Sequence, residues 1–420
     1  MSYLNDWRNL FTSWRSDLVA GITVGIVALP LALGFALTTG APASAGLSTA
    51  IIAGFIAALF GGSNYQVSGP TGAMTVVLVP IVGTYGLTAL PALGITAGII
   101  IIALSILRLG RYIDRVPLSV MEGFTLGIAL IIALQQIPLI LQVQKAEGTH
   151  TVSVALDTFR NALEDEIHWV SLILAFSTLA LKRLWPRMKK KLRIKPHIPA
   201  SVIAVLTISL ISYVADLDTA RIGELPRSLS FDFNFNFPDI PITKFLYAAM
   251  VIAMLGAIES LLSARIADGL ARQEIDHQQP KHQPNKELFG QGLATIISAS
   301  AGGLPATGAI ARTSVNVHAG GRTRLAAMIH AVFLLLVVLF LAPVVSQIPT
   351  AVLAGVLLGT SLRIANPRSV KEALQTTGSQ RIVYGATALS VLFIDLIWGI
   401  VIGLMVNELA KKIEKRKKSN

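Results

Sequence analysis

The sequence predicts an all-α integral membrane protein of fourteen membrane segments, a seven-plus-seven inverted repeat with half-helices in segments 3 and 10. Three observations lead there: an apolar composition, an alternating distribution of Lys and Arg, and two matched Gly/Pro-interrupted segments. Hydrophobic residues fill 53% of the 420 positions and charged residues only 14%. A soluble domain carries about 25% charged residues, so most of this surface must face lipid. A bilayer is spanned by about 20 apolar residues. Apolar runs set against Gly, Pro and charge place segments near 17–36, 46–61, 71–86, 89–107, 116–141, 168–185 and 197–215. The second set lies near 244–267, 288–303, 305–317, 323–342, 349–362, 382–396 and 398–410. More apolar segments follow the first, so it is not a cleaved signal peptide. The absence of cysteine excludes disulfides, thiolate metal sites and a cysteine nucleophile.

Charge orients these segments. Lys and Arg gather in cytoplasmic loops, and here they gather in every second loop. The expected inside loops hold Arg108, Arg111 and Arg115, the eight basic residues from Lys182 through Lys195, Arg265 to Lys286, Arg322 and Arg324, and Arg363 to Arg381. The expected outside loops hold only Lys145, Arg160, Arg221, Arg227 and Lys244, beside acids such as Glu164, Asp165, Glu166, Asp216 and Asp218. Both termini are therefore expected in the cytoplasm of a bacterial inner membrane, with 147–166 outside. The net charge of +12 reads as topology and contact with lipid headgroups, not as a nucleic-acid surface.

The interrupted segments are Gly69-Pro70-Thr71-Gly72-Ala73 and Gly302-Gly303-Leu304-Pro305-Ala306-Thr307-Gly308-Ala309. They fall in the third and tenth segments, and a spacing of seven, being odd, sends the second copy into the membrane in the opposite sense. Paired broken helices in an inverted repeat mark a binding site near the midplane. Their N-termini would aim unpaired N–H groups and positive dipole ends at a shared space. Small residues there (Gly72, Ala73, Gly308, Ala309) would let a small anion reach the backbone. One such motif could equally be helix packing; two matched copies point to a site.

Ionisable residues inside spans are functional candidates by default. Arg312 reads as a fixed cation near the substrate and Glu259 as a coupling or gating carboxylate, unless the two form a structural ion pair. Phe35, five residues after Pro30, could line the cavity. Asp395 and Glu122 read as caps near an interface. His277 and His282 fall in a polar stretch read as a solvated loop, with no metal-site spacing. No phosphate-binding loop, nucleophile elbow or HExxH motif occurs, so neither an enzyme nor a cofactor is expected.

These residues resemble the SulP family of anion permeases, which includes sulfate, bicarbonate and C4-dicarboxylate transporters. The matching stretches are Asp17 to Gly25, Val67-Ser68-Gly69-Pro70-Thr71-Gly72, Leu255 to Leu262, Asn285 to Gly292, and Pro305 through Thr313. The resemblance implies a core domain (about 17–107 plus 244–342) moving against a gate domain (about 116–215 plus 349–410), usually as a homodimer. The first repeat would be 1–215 and the second 216–420. By position, the resemblance places substrate on Thr71, Gly72, Ala73, Gly308, Ala309 and Arg312 with Phe35 lining the cavity, and a coupling or gating role on Glu259 and Ser263. Leu31 stands where many members have Gln, which puts sulfate specificity in doubt, and no cytoplasmic STAS domain is expected before Asn420. The implied function is secondary transport of a small anion, coupled to protons or by exchange. Ile310, where sodium-coupled members have Thr, and the permanent charge of Arg312 argue against sodium. An uncoupled channel on the same scaffold, a nucleobase permease, and a non-transporting motor or scaffold are the alternatives.

Overall fold

The computed structural model describes residues 10–113, 116–148, 150–164, 167–191, 199–225, 240–275, 281–365, 370 and 378–419. Arg115, Asp165, Glu166, Lys195, Arg227, His277 and Asn420, named above, lie outside the described residues. The first half contains helices α1 (Trp14–Thr38), α2 (Ala43–Phe60), α3 (Gly72–Tyr85), α4 (Leu90–Ile106), α5 (Leu118–Leu134), α6 (Thr151–Glu164), α7 (Trp169–Lys191) and α8 (Ala200–Val214). The second contains α9 (Ile242–Glu274), α10 (Pro284–Ser300), α11 (Ile310–His318), α12 (Leu325–Val345), α13 (Thr350–Ile364), α14 (Gly378–Phe393) and α15 (Leu396–Ser419). A helix overlaps each expected segment. Among the described residues, six spans are long and apolar enough to cross a membrane: α1, α2, Leu87–Ile106, Leu118–Leu141, α9 and α12. Shorter apolar helices are α3, α8 and α13.

Two elements depart from expectation. The stretch read as an outside loop folds as α6, because Val154, Ala155, Thr158 and Ala162 fall on one buried face while Leu156, Phe159 and Leu163 stay exposed. That three-to-four spacing is helical, although its hydropathy is too low to resemble a span. Helix α9 runs on to Glu274, well past residue 267.

Small residues set the closest packing. Helices α4 and α10 cross at facing glycines: a Cβ on Gly98 would meet the Gly292 carbonyl at 2.7 Å, and one on Gly292 the Gly98 carbonyl at 2.8 Å. Such contact lets backbones approach where lipid gives no hydrophobic drive to association. Buried Asp17 ties the start of α1 to the turn before α12, accepting from the N–H groups of Arg322 (2.7 Å) and Thr323 (3.1 Å). Two two-residue strands, β1 (Ser68–Gly69) and β2 (Thr307–Gly308), lead into α3 and α11.

Candidate anion-binding site

The two interrupted segments meet in space. Strands β1 and β2 pair antiparallel, Ser68 opposite Gly308 and Gly69 opposite Thr307. Irregular backbone within a membrane must find partners inside the protein, and buried polar side chains supply what so short a ladder cannot. Glu287 accepts from the N–H groups of Gly62 (2.7 Å) and Ser63 (2.8 Å) and from the Gln66 amide (2.7 Å). Gln291 joins the two sides, accepting from Ser68 Oγ and donating to the Ala306 carbonyl, each at 2.8 Å. The Thr49 hydroxyl accepts from Leu304 N–H at 2.6 Å. Glu287 and Gln291 belong to a stretch that carried the family resemblance; their place is that of braces beneath the junction.

The motifs enter their helices at different points. Thr71 caps α3, its hydroxyl accepting from Met74 N–H at 3.3 Å, so Gly72 and Ala73 are the first helical residues. In the second motif Thr307 and Gly308 remain in the strand, Ala309 is the cap, and α11 begins at Ile310. The helix thus starts two residues later relative to Thr-Gly-Ala. Gly308 N–H donates to Ser260 Oγ (3.0 Å) and Ala309 N–H to the Val67 carbonyl (2.9 Å). In the first turns of α3 and α11, the N–H groups of Gly72 and Ala73, and of Ile310, Ala311 and Arg312, have no protein acceptor among the described residues.

Arg312 adds charge to these donors. Its side chain is 1% exposed; Nη2 donates to the Pro70 carbonyl at 2.8 Å, and Nη1 has no partner among the described residues. The guanidinium lies so near the first segment that a Cβ on Gly69, whose φ is +151°, would stand 2.7 Å from Nη1. Only glycine holds that backbone and leaves that room. A cation in the first turn of a helix opposes the macrodipole, which favours anions there. Unpaired N–H groups, a dipole end and an unpartnered guanidinium atom together make a buried site short of negative charge.

The site faces a cavity of about 430 Å³. Phe35, Thr71, Gly72, Ala73, Glu259, Ala309 and Arg312, all singled out from the sequence, line it; Gly308 and Ser263 do not. The facing wall comes from α5 and α13, including Phe124, Ile132, Leu357 and Thr360. Glu259 Oε2 lies 2.8 Å from Thr71 Oγ1 and 2.6 Å from Thr307 Oγ1, and the two hydroxyls are 2.8 Å apart. Among the described residues no ion pair joins Glu259 to Arg312. Ser263 is fully buried and donates instead to Thr313 Oγ1 at 3.1 Å. Sequence reasoning did not place Ala311, Thr307 or Ser260 at the site and read Ile310 only as a missing sodium ligand; the repeated Thr of the two motifs was the visible signal for Thr307.

The weaker candidates lie elsewhere. Asp395 accepts from Ile397 N–H at 2.7 Å at the start of α15, and Glu122 is exposed on α5. His282 departs from the expected solvated loop. It is 8% exposed, with Nδ1 2.8 Å from Asp268 Oδ2, because the extended α9 carries Asp268 beside it.

A profile of the sulfate permease family matches residues 14–387. The chain belongs to the sulfate permease family. This family member is 35% identical over 402 residues to the putative sulfate transporter YvdB of Bacillus subtilis, covering 94% of this chain and 72% of that one. It is 33% identical over 409 residues to the bicarbonate transporter BicA of Picosynechococcus sp., covering 94% and 70%. Among solved structures, the transmembrane domain of a cyanobacterial BicA superposes with a TM-score of 0.83 at 32% identity, over 93% of this chain and 98% of that one. The fold also matches a murine Solute Carrier 26 family member A9 anion transporter, with a TM-score of 0.82 at 18% identity over 99% of this chain and 72% of that one. As a sulfate permease family member, the chain is a multi-pass membrane protein of an anion-transporting family and not an enzyme.

Proposed function

We propose that the protein is a secondary transporter carrying a small oxyanion or carboxylate (sulfate, bicarbonate or a C4-dicarboxylate) across a bacterial inner membrane by alternating access. The observation that carries this reading is the buried junction of α3 and α11, short of negative charge and open to a cavity of about 430 Å³. On this reading fourteen segments form two inverted repeats, 1–215 and 216–420, with both termini cytoplasmic. A core (17–107 plus 244–342) carries the junction, and a gate (116–215 plus 349–410) supplies the facing wall. Rocking one against the other would present one anion to either side in turn, with two copies of the chain forming a homodimer. His318 and Arg363 border the cavity, and both belong to the side where Lys and Arg accumulate, so this arrangement opens toward the cytoplasm.

Hydrogen counting supports proton coupling. The three oxygens of Thr71, Thr307 and Glu259 make three close pairs of 2.6 to 2.8 Å. Each such pair needs a hydrogen between its oxygens, and two hydroxyls supply two. A proton on Glu259 closes the ring. Sodium has less to hold it: Ser263 is turned to Thr313, Ile310 is apolar, and Arg312 already supplies a permanent positive charge.

The test is uptake of labelled sulfate, bicarbonate and succinate into proteoliposomes, with sodium replaced by choline at constant pH. Saturable uptake of at least one anion should persist in choline and respond to a pH gradient. In Glu259→Gln the anion should still bind while the response to the gradient disappears. Loss of uptake in choline would overturn proton coupling; flux that neither saturates nor follows a gradient would make the protein a channel.

A further inference from the structure

A second cavity, of about 340 Å³, lies farther along the three helices that wall the first. Helix α1 gives Phe35 to the central cavity and then Thr38 and Thr39 to the second; α3 gives Gly72 and then Gly83. Helix α5 gives Ile132 and then, at its end, Gln135. The second cavity therefore continues the first along the helices, away from His318 and Arg363. Helix α6 and the chain from Lys145 to Gly148 cover it. By the distribution of Lys and Arg this is the outer face of the membrane.

The side chains of Gln135 and Lys145 in its lining have no protein partner among the described residues. Gln135 is 9% exposed, and neither its amide nitrogen nor its amide oxygen has a hydrogen-bond partner among the described residues. Such a buried amide calls for an explanation in water or ligand. Lys145 makes no ion pair among the described residues, and burial lowers its pKa from the usual lysine value. Lys145 is exposed and lines both the cavity and the groove outside it, which puts this residue at the mouth. Glu147 borders that groove but not the cavity. An ammonium group and an amide donor without protein acceptors are the complement of an anion.

We propose that this outer cavity is a second anion site, an entry and exit station in which Lys145 and Gln135 hold the anion before or after it occupies the Arg312 site. The inference rests on the reading that the protein transports a small anion. Gly83 lines the cavity, and a Cβ there would meet nothing within 4 Å, so Gly83→Cys places a single reporter thiol in a chain that has no cysteine. In right-side-out vesicles its modification is timed with an impermeant sulfonate methanethiosulfonate and with a trimethylammonium one. The anionic-to-cationic rate ratio should fall about threefold or more in Gly83→Cys/Lys145→Gln, as removal of one nearby unit charge requires, and recover with Lys145→Arg. Sulfate, bicarbonate or succinate should slow the anionic reagent, and that protection should vanish with Lys145→Gln. A ratio that does not move, or protection by none of the three anions, overturns the outer site. Uptake by the Gly83→Cys chain separates the two readings. A falling ratio and Lys145-dependent protection without uptake would sink transport and keep the site; Arg312-dependent uptake with an unmoved ratio would do the reverse.

Discussion

Thr71-Gly72-Ala73 and Thr307-Gly308-Ala309 are the same three residues in two environments. In the first, the threonine caps its helix and the two small residues open the first turn toward the cavity. In the second, strand pairing runs through Thr307 and Gly308, Ser260 and Val67 take the next two N–H groups, and the helix starts at Ile310. No side chain caps α11. Its first turn carries Arg312, whose charge the helix dipole disfavours. Both first turns keep unpaired N–H groups, but the first is capped by Thr71, whereas the second has no side-chain cap and adds an unpartnered guanidinium atom among the described residues. A repeat in sequence therefore does not give two equivalent half-sites: on the proposed reading, the second half would attract the anion and the first would mainly shape the space.

The largest expected asymmetry is in binding. Arg312→Ala should weaken binding of the accepted anion about 10- to 100-fold, since a hydrogen bond to a charged group contributes roughly 1.5–3 kcal/mol. Arg312→Lys should restore only part of it, because an ammonium lacks the guanidinium fork. Titration by anion-dependent thermal stabilisation measures both. Equal affinity in Arg312→Ala would remove the asymmetry between the halves.

The glycines should respond in opposite ways. A Cβ on Gly308 would stand 2.3 Å from Gln66 Nε2 and 3.0 Å from the Ser260 Cα, and Gln66 is held by Glu287. Gly308→Ala should therefore cost about 1–3 kcal/mol of stability, the usual penalty of overpacking. A Cβ on Gly72 would meet the end of the Ile132 side chain at 2.2 Å and the Phe35 ring at 3.2 Å, both at the cavity. Gly72→Ala should lower anion affinity while changing the melting temperature less than Gly308→Ala does. The reverse order would mean that the motif registers have been exchanged.

The smallest contrast separates the threonines. Either substitution removes a bond to Glu259 and the bond between the two hydroxyls, but only Thr71→Val also removes a helix cap. Thr71→Val should be the less stable by about 1 kcal/mol, the typical worth of a cap. Equal melting temperatures would show that the cap contributes nothing.

Much of this was legible in the sequence. The apolar runs located a helix for each expected segment, and the Pro-Thr-Gly and Pro-Ala-Thr-Gly breaks located the junction, because interruption of a span is a local signal. Arg312 and Glu259 were visible because charge inside a span is rare. The two-residue displacement of α11 was not visible. It is decided by Ser260 Oγ and the Val67 carbonyl, which lie 48 and 242 positions from the groups they bond. For the same reason Ser263 looked like a companion to Glu259, one turn away, until Thr313 was seen to occupy its hydroxyl. Helix α6 escaped notice because its buried face is made of Ala, Val and Thr.

The most direct measurement is a structure of the protein with its anion bound, using whichever of sulfate, bicarbonate or succinate gives the largest thermal stabilisation. The account predicts anion density within hydrogen-bond reach of Arg312 Nη1 and of the Ile310 and Ala311 N–H groups, on the α11 side of the cavity. Density held by Gly308 and Ala309 N–H groups, or centred on α3 without contact to Arg312, would contradict it.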